Sequence, residues 1–377
     1  MIYDRTTIAT LPWPATANGD YARRVLEPLV VEGATPFIAN VDGEVRALVV
    51  GDAVLPVVLT NGATQIKNSY VCSPTTHYID YACREVELEL TDRPLLRAVF
   101  PRLLRSLRPL LHWAEFERVV YVNNWLLSTN LYPAFDQAAL PLLRDKLIAA
   151  FPDRAIIFRS VCASLNADLG VRLAALGFRA VFSRQVYILD PRDGRFRQKK
   201  SFQKDRALAR RTEYQWDEAT IDDIPRLKQL YDDLYIDKYS AYNPQFSQRF
   251  FVEALRAGWL TLMVLRRNGR ADGVLGFVER DGVMTTPLIG YDRSLPAEEG
   301  LYRLISLKLA EEAAARGNIL HQSSGAAAFK RHRGSVPSTE YNYVYDHHLT
   351  PRRRLPWQLL ESLTGSMIVP MMQRMGL

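Results

Sequence analysis

A lysine close to a serine-glycine turn can bring a cation and backbone amides toward one developing negative charge. In this chain Ser324-Gly325 is followed by Phe329-Lys330 and then by Gly334. Lys330 could stabilise the negative charge that develops on a carbonyl oxygen. Gly325, at a strand-to-helix junction, could expose backbone amides to the same oxygen. The next segment alternates, with Glu340, Asn342 and Val344 on one face of a strand and Tyr341, Tyr343 and Tyr345 on the other. Tyr343 is the candidate proton donor of one face and Glu340 the catalytic candidate of the other, with aromatic packing on a helix as the other reading.

Groups that could hold a polar substrate lie elsewhere in the chain. The run Asn123-Asn124-Trp125-Leu126-Leu127-Ser128-Thr129-Asn130 follows a buried strand, where α/β sheets place ligands. Its amides and hydroxyls suit hydrogen bonding, so Asn123, Asn124, Trp125, Ser128, Thr129 and Asn130 are substrate-binding candidates, with a structural loop network as the other reading. Tyr239 and Tyr242, between two helices, could contact an acceptor. Ser324, Gly325 and Phe329 complete the set. Residues 192–211 are the most basic stretch, and Lys199, Lys200, Lys204 and Arg211 could form an anion-binding wall. The scattered histidines form neither an HExxH motif nor a metal cluster, so no metal is expected.

Bulk properties set limits on what these residues serve. At 377 residues, two domains are the default. Three irregularly spaced cysteines argue against a disulfide framework or a zinc site. Neither a signal peptide nor a run of about 18 apolar residues is evident, so a cytoplasmic setting is expected. A net charge of +7 favours anionic ligands such as a nucleotide-bearing cofactor, a tRNA or an anionic membrane, without choosing among them.

The positioning elements can be read from periodicity and turns. Apolar runs at 37–41, 45–50 and 53–60 read as strands, separated by Asp42-Gly43 and Gly51-Asp52. Residues 70–83 read as extended, and helical spacing follows from Pro94 to Trp113 through Leu95, Val99, Leu103 and Leu110. Strand 118–123, helix 134–150, strand 155–161, helix 163–176 and strand 178–189 complete the first half, with Gly177 as a helix stop. The second half reads as a helix from about Gln198 and helices beginning at Ile221 and Ser247. Three strands follow, joined by Asn268-Gly269 and Asp281-Gly282. A helix over 300–316, a strand, a short helix over the Phe329-Lys330 pair and a final strand end the pattern. Both halves are mixed α/β, the same architecture without a sequence repeat. The tail after Arg352-Arg353-Arg354 is apolar and methionine-rich, with a kink expected at Pro370. It reads as a docked helix in preference to a peripheral membrane contact through 352–377.

The order of elements in the second half resembles the GNAT superfamily. More specifically it resembles the branch of Fem-type aminoacyltransferases and related two-domain proteins. The residues that carry this are Leu301-Tyr302-Arg303 opening the central helix, Gly317 after it, Ser323-Ser324-Gly325, Phe329-Lys330 and Gly334. The resemblance implies tandem GNAT-like halves sharing an interdomain cleft: residues 1–191, residues 192–350 and a helical tail 351–377. It implies a place for Lys330 at the acyl-transfer site. Acyl-CoA or a carrier-protein thioester is the expected donor to an amine acceptor. The Fem-type alternative uses an aminoacyl-tRNA, so tRNA is a possible partner and DNA is not. One departure stands out: Ser294–Leu301 has a single glycine where CoA-dependent members carry a glycine-rich loop. Glu298 and Glu299 would repel a pyrophosphate by about 1 kcal/mol or more if they faced it. The competing class is a non-catalytic binding protein with the same fold. An RNA-binding reading ranks below it, because the basic run lacks interleaved aromatics.

Overall fold

The computed structural model describes residues 1–60, 68–89 and 94–368; Pro370 and the rest of the tail lie outside the described residues. The chain divides into two compact units. The first is Met1–Ser183 with Tyr239–Gln245 and the segment from Glu340 onward, and the second is Arg184–Lys238 with Phe246–Thr339.

In chain order the strands are β1 (Ile2–Tyr3), β2 (Glu44–Val50), β3 (Ala53–Thr60), β4 (Val119–Val122), β5 (Ala155–Cys162) and β6 (Arg179–Leu189). They continue with β7 (Gln215–Glu218), β8 (Thr261–Arg267), β9 (Arg270–Arg280), β10 (Val283–Tyr291), β11 (Ile319–His321) and β12 (Val336–Tyr345). The helices of the first half are α1 (Ala17–Glu32), α2 (Ala82–Glu89), α3 (Pro94–Ser106), α4 (Arg108–Trp113), α5 (Leu140–Ala150) and α6 (Ala167–Ala175). Then come α7 (Lys200–Ala209), α8 (Ile224–Tyr231), α9 (Gln248–Ala257), α10 (Leu301–Ala315), α11 (Ala327–Arg331) and α12 (Pro351–Leu363).

Each unit has the same sheet plan. In the first, β1-β2-β3-β4 run antiparallel, β4 pairs parallel with β5, and β5 pairs antiparallel with β12. In the second, β7-β8-β9-β10 run antiparallel, β10 pairs parallel with β11, and β11 pairs antiparallel with β6. The expected mixed α/β architecture is therefore present in both.

Local chemistry accounts for most boundaries. Asn268-Gly269 and Asp281-Gly282 have positive φ at both residues, the conformation that tight two-residue hairpins require. Gly51, with φ 57°, turns β2 into β3. Two expectations fail. Residues 37–41 form turns instead of a strand, held in place by the Asn40 amide, which donates to the Ala241 and Asn243 carbonyls. Residues 76–83, expected to be extended, are helical, in a run that continues to Glu89. The Ser73 hydroxyl accepts from the Thr76 amide, and the Glu117 carboxylate accepts from the Thr75 amide and the Ser73 hydroxyl. These caps supply the helix start that a β-branched and aromatic composition conceals.

Separate apolar cores hold the two units. The tail helix α12 docks on the first unit through Trp357, 1% exposed, whose ring lies 4.3 Å from Phe116. In the second unit α8 presses directly on the end of β10. A Cβ at Gly290 would stand 2.6 Å from the Leu230 carbonyl carbon and oxygen, which are backbone atoms that cannot rotate away. Gly290→Ala is therefore expected to lower stability by about 1–3 kcal/mol. Urea unfolding of the two proteins measures this, and an unchanged midpoint would contradict the close approach.

Candidate active site

The second unit contains a backbone fork. Strands β10 and β11 pair in parallel only over Val283↔Ile319, Met284↔Leu320 and Thr285↔His321. Beyond that point β10 bulges: Thr286 and Pro287 stand opposite Phe277, and pairing with β9 resumes at Leu288↔Gly276. Proline has no amide proton to lose, so it suits such a bulge. From there to Tyr291, β10 follows β9. The chain leaving β11 follows β6 instead: the Gln322 amide donates to the Tyr187 carbonyl and the Tyr187 amide to the Ser323 carbonyl. The two parallel strands consequently part at Thr285 and His321. The Thr285 hydroxyl, donating to the His321 carbonyl at 2.9 Å, closes the base of the fork.

Lys330 secures one arm of it. Its ammonium is buried and donates to the Gln322 carbonyl at 2.7 Å, the Ser324 carbonyl at 2.7 Å and the Ser323 carbonyl at 3.3 Å. It also lies 5.4 Å from the centre of the Tyr187 ring. An ammonium has three donors, and all three are used on backbone carbonyls. The segment needs such a clamp, because Ser323, Gly325 and Ala326 all have positive φ, at 58°, 76° and 50°. Left-handed backbone at the two non-glycine residues costs about 1–2 kcal/mol each and persists only where surroundings enforce it. His321 adds a second tie: its Nδ1 accepts from the Ser323 amide, which leaves the ring proton on Nε2.

Phe329 occupies the helix surface beside this clamp. Its ring lies 4.7 Å from Tyr302, which lies 6.0 Å from Tyr291 at the end of β10, while the Arg333 guanidinium stacks on Phe329 at 3.3 Å. Below them Asp205 of α7, 1% exposed, receives both Arg303 and Arg333 at 2.6 Å. This carboxylate ties α7, α10 and α11 together.

The anion-binding candidates Lys199, Lys200, Lys204 and Arg211 are all exposed on or beside α7. Glu299 is engaged by Arg267 at 2.9 Å, so one of the two carboxylates expected to repel a pyrophosphate is neutralised; Glu298 remains exposed. Gly300, with φ 65°, precedes the first turn of α10.

Other candidates belong to the first unit. Asn123, Asn124, Trp125, Thr129 and Asn130 are buried, and the polar atoms of the loop satisfy one another. The Trp125 indole donates to Asn123 Oδ1, the Trp125 amide to Asn130 Oδ1, the Asn124 amide group to the Val71 carbonyl, and the Asn130 amide group to the Ser160 hydroxyl. Arg159 donates to the Leu127 carbonyl at 2.9 Å and the Ser128 carbonyl at 3.5 Å. Tyr242 contributes its carbonyl to Ser69 and Tyr70, and Tyr239 is exposed. On β12 the expected alternation is present: Glu340 and Asn342 are buried, and Tyr343 turns to the opposite face, against the core and Gly170 of α6. Arg184, which donates to the Ser323 hydroxyl at 3.0 Å, His321, Thr285 and Asp205 carried no sequence signal, because each matters only through the fork or its supports.

Burial pushes the Lys330 ammonium down to about 7, with the Arg184 charge adding to the effect. A lysine in the unfolded chain titrates near about 10.4, so between these values the unfolded chain binds more protons. Stability contributed at this position therefore rises with pH across that window and is flat below it. Relative to Lys330→Met, the native chain should gain stability from about pH 7 to about pH 10, as read by urea unfolding at several pH values. A difference that falls with pH would contradict the assignment. Asp205→Ala should cost about 1–3 kcal/mol by leaving two guanidinium groups without their carboxylate, checked by the same measurement.

Residues 195–331 match the family model described as an acetyltransferase (GNAT) domain. Among solved structures the chain is similar to FemX, at 11% identity over 64% of this chain and 83% of that one, with a TM-score of 0.48. It is also similar to L-PGS from Bacillus licheniformis, at 17% identity over 58% and 76% of the two chains, with a TM-score of 0.45. A tandem GNAT protein from the clavulanic acid biosynthesis pathway matches at 12% identity over 60% and 74%, with a TM-score of 0.36. No curated protein matches the chain. The domain match spans the fork, the helix behind it and the Phe329-Lys330 pair, so the resemblance to an acetyltransferase (GNAT) domain rests on residues 195–331.

Proposed function

We propose that this protein transfers an acyl group from a thioester to an amine, forming an amide and releasing the thiol, at the fork between β10 and β11. The observation that carries the reading is the parting of these two parallel strands inside a GNAT domain. Backbone groups on that side of β10 beyond Thr285 are available to pair with an amide-bearing donor arm, in the manner of an added strand. Lys330 acts here as a positioning residue: it gathers the Gln322–Ser324 carbonyls and so fixes the turn at Gly325 whose amides face the reacting carbonyl. The amine attacks as the neutral base, its proton leaves to solvent or to the departing thiolate, and the tetrahedral oxyanion collapses to the amide. Neutralisation of Glu299 by Arg267 favours an acyl-CoA or carrier-bound thioester.

The exposed basic face of α7 supports a second reading, an aminoacyl-tRNA donor, whose phosphates those side chains would meet. Donor release assays separate the two: free thiol from acetyl-CoA with a panel of amines, and loss of label from aminoacyl-tRNA. The expected outcome is turnover with a thioester, reduced at least about tenfold in kcat/KM by Lys330→Ala and partly restored by Lys330→Arg. Turnover with aminoacyl-tRNA alone selects the second reading. Absence of turnover and of binding with both donors overturns the proposal.

A further inference from the structure

Helix α3 of the first unit turns an apolar stripe to solvent. Leu95, Val99 and Leu103, spaced four residues apart on one helix face, are 80%, 59% and 58% exposed, and Trp113 at the end of α4 is 53% exposed. The same two helices carry Arg97, Arg102, Arg105 and Arg108 and no carboxylate between Pro94 and Trp113. Among the described residues, Glu87 of α2 lies 3.4 Å from Arg105, and Asp80 pairs with Arg108. Glu85 of α2 is exposed nearby in sequence, and Arg102 donates to the Ala98 carbonyl within its own helix.

We infer that α3 and α4 form a docking surface for an anionic lipid bilayer. The stripe supplies side chains that enter the acyl boundary, the arginines meet headgroup phosphates, and Trp113 sits at the interfacial depth that indole rings favour. Charge decides against the other occupants. A second copy in a symmetric pair would set the same patch against itself and bring arginines toward arginines. A nucleic acid would satisfy the arginines but leave the leucine stripe in water. This inference stands on the first unit alone and does not depend on the acyl-transfer reading.

The test uses the full chain and sedimentation with vesicles of pure phosphatidylglycerol or pure phosphatidylcholine. The protein should sediment with the anionic vesicles at least about tenfold more strongly than with the neutral ones, and added salt should weaken this. The triple substitution Leu95→Glu, Val99→Glu, Leu103→Glu should abolish sedimentation while circular dichroism and the melting temperature stay unchanged, since the three side chains are exposed. Arg97→Gln with Arg102→Gln should weaken it several-fold. The inference is overturned if the native chain stays in the supernatant with phosphatidylglycerol, or if the triple variant sediments as well as the native chain. It is equally overturned if light scattering reveals a dimer that the triple variant dissolves while vesicle binding is absent.

Discussion

The geometry of the second unit depends on an ammonium group held among backbone carbonyls. Lys330 has no carboxylate partner among the described residues, and its charge is met by three carbonyl dipoles that would otherwise repel one another. That arrangement makes the left-handed turn through Ser323, Gly325 and Ala326 tolerable, and the turn carries the chain from β11 into α11. Remove the lysine side chain and the carbonyls lose their common partner, leaving the β6 pairing and His321 to hold this arm of the fork. The supports are layered outward from there: His321 ties the Ser323 amide, and Asp205 holds Arg303 of α10 and Arg333 in the turn after α11.

The first unit solves a related problem with a different cation. At β5 the pairing with β12 slips, so that Arg159 and Ser160 stand opposite Asn342, and Ser160 takes a positive φ of 60°. The bulge sets Arg159 where it can reach the carbonyls of Leu127 and Ser128 and hold the loop that follows β4. In both units, then, the chain leaving a strand of the parallel pair is shaped by a buried cation acting on backbone carbonyls. A guanidinium reaches two successive carbonyls with its planar fork, and an ammonium gathers three around a point charge.

Much of this was legible from residue order, and the reasons for failure are specific. Asparagine-glycine and aspartate-glycine pairs announced the β8–β9 and β9–β10 hairpins because φ must be positive there. Alternation gave the two faces of β12 correctly, since a strand's period is fixed by its pleat. The helix over 82–89 and its lead-in were missed because their caps come from Ser73 and from Glu117, the latter remote in sequence. The Asn123–Asn130 run has the composition of a binding loop, but composition does not reveal whether amides face a ligand or each other. Lys330 was identifiable as a residue of interest, whereas its three carbonyl partners follow only from a turn whose handedness no pattern encodes.

The close approach of α8 to β10 has a consequence for how this protein can change over evolutionary time. At Gly290 the facing surfaces are backbone against backbone, so this contact between α8 and β10 has no side chain to lengthen or shorten. Side chains beside the fork are free to vary instead on the segment from Gln322 to Ser324 and in the aromatic row of Tyr291, Tyr302 and Phe329. The α8–β10 contact is therefore an inheritance shared by any descendant that keeps the fold.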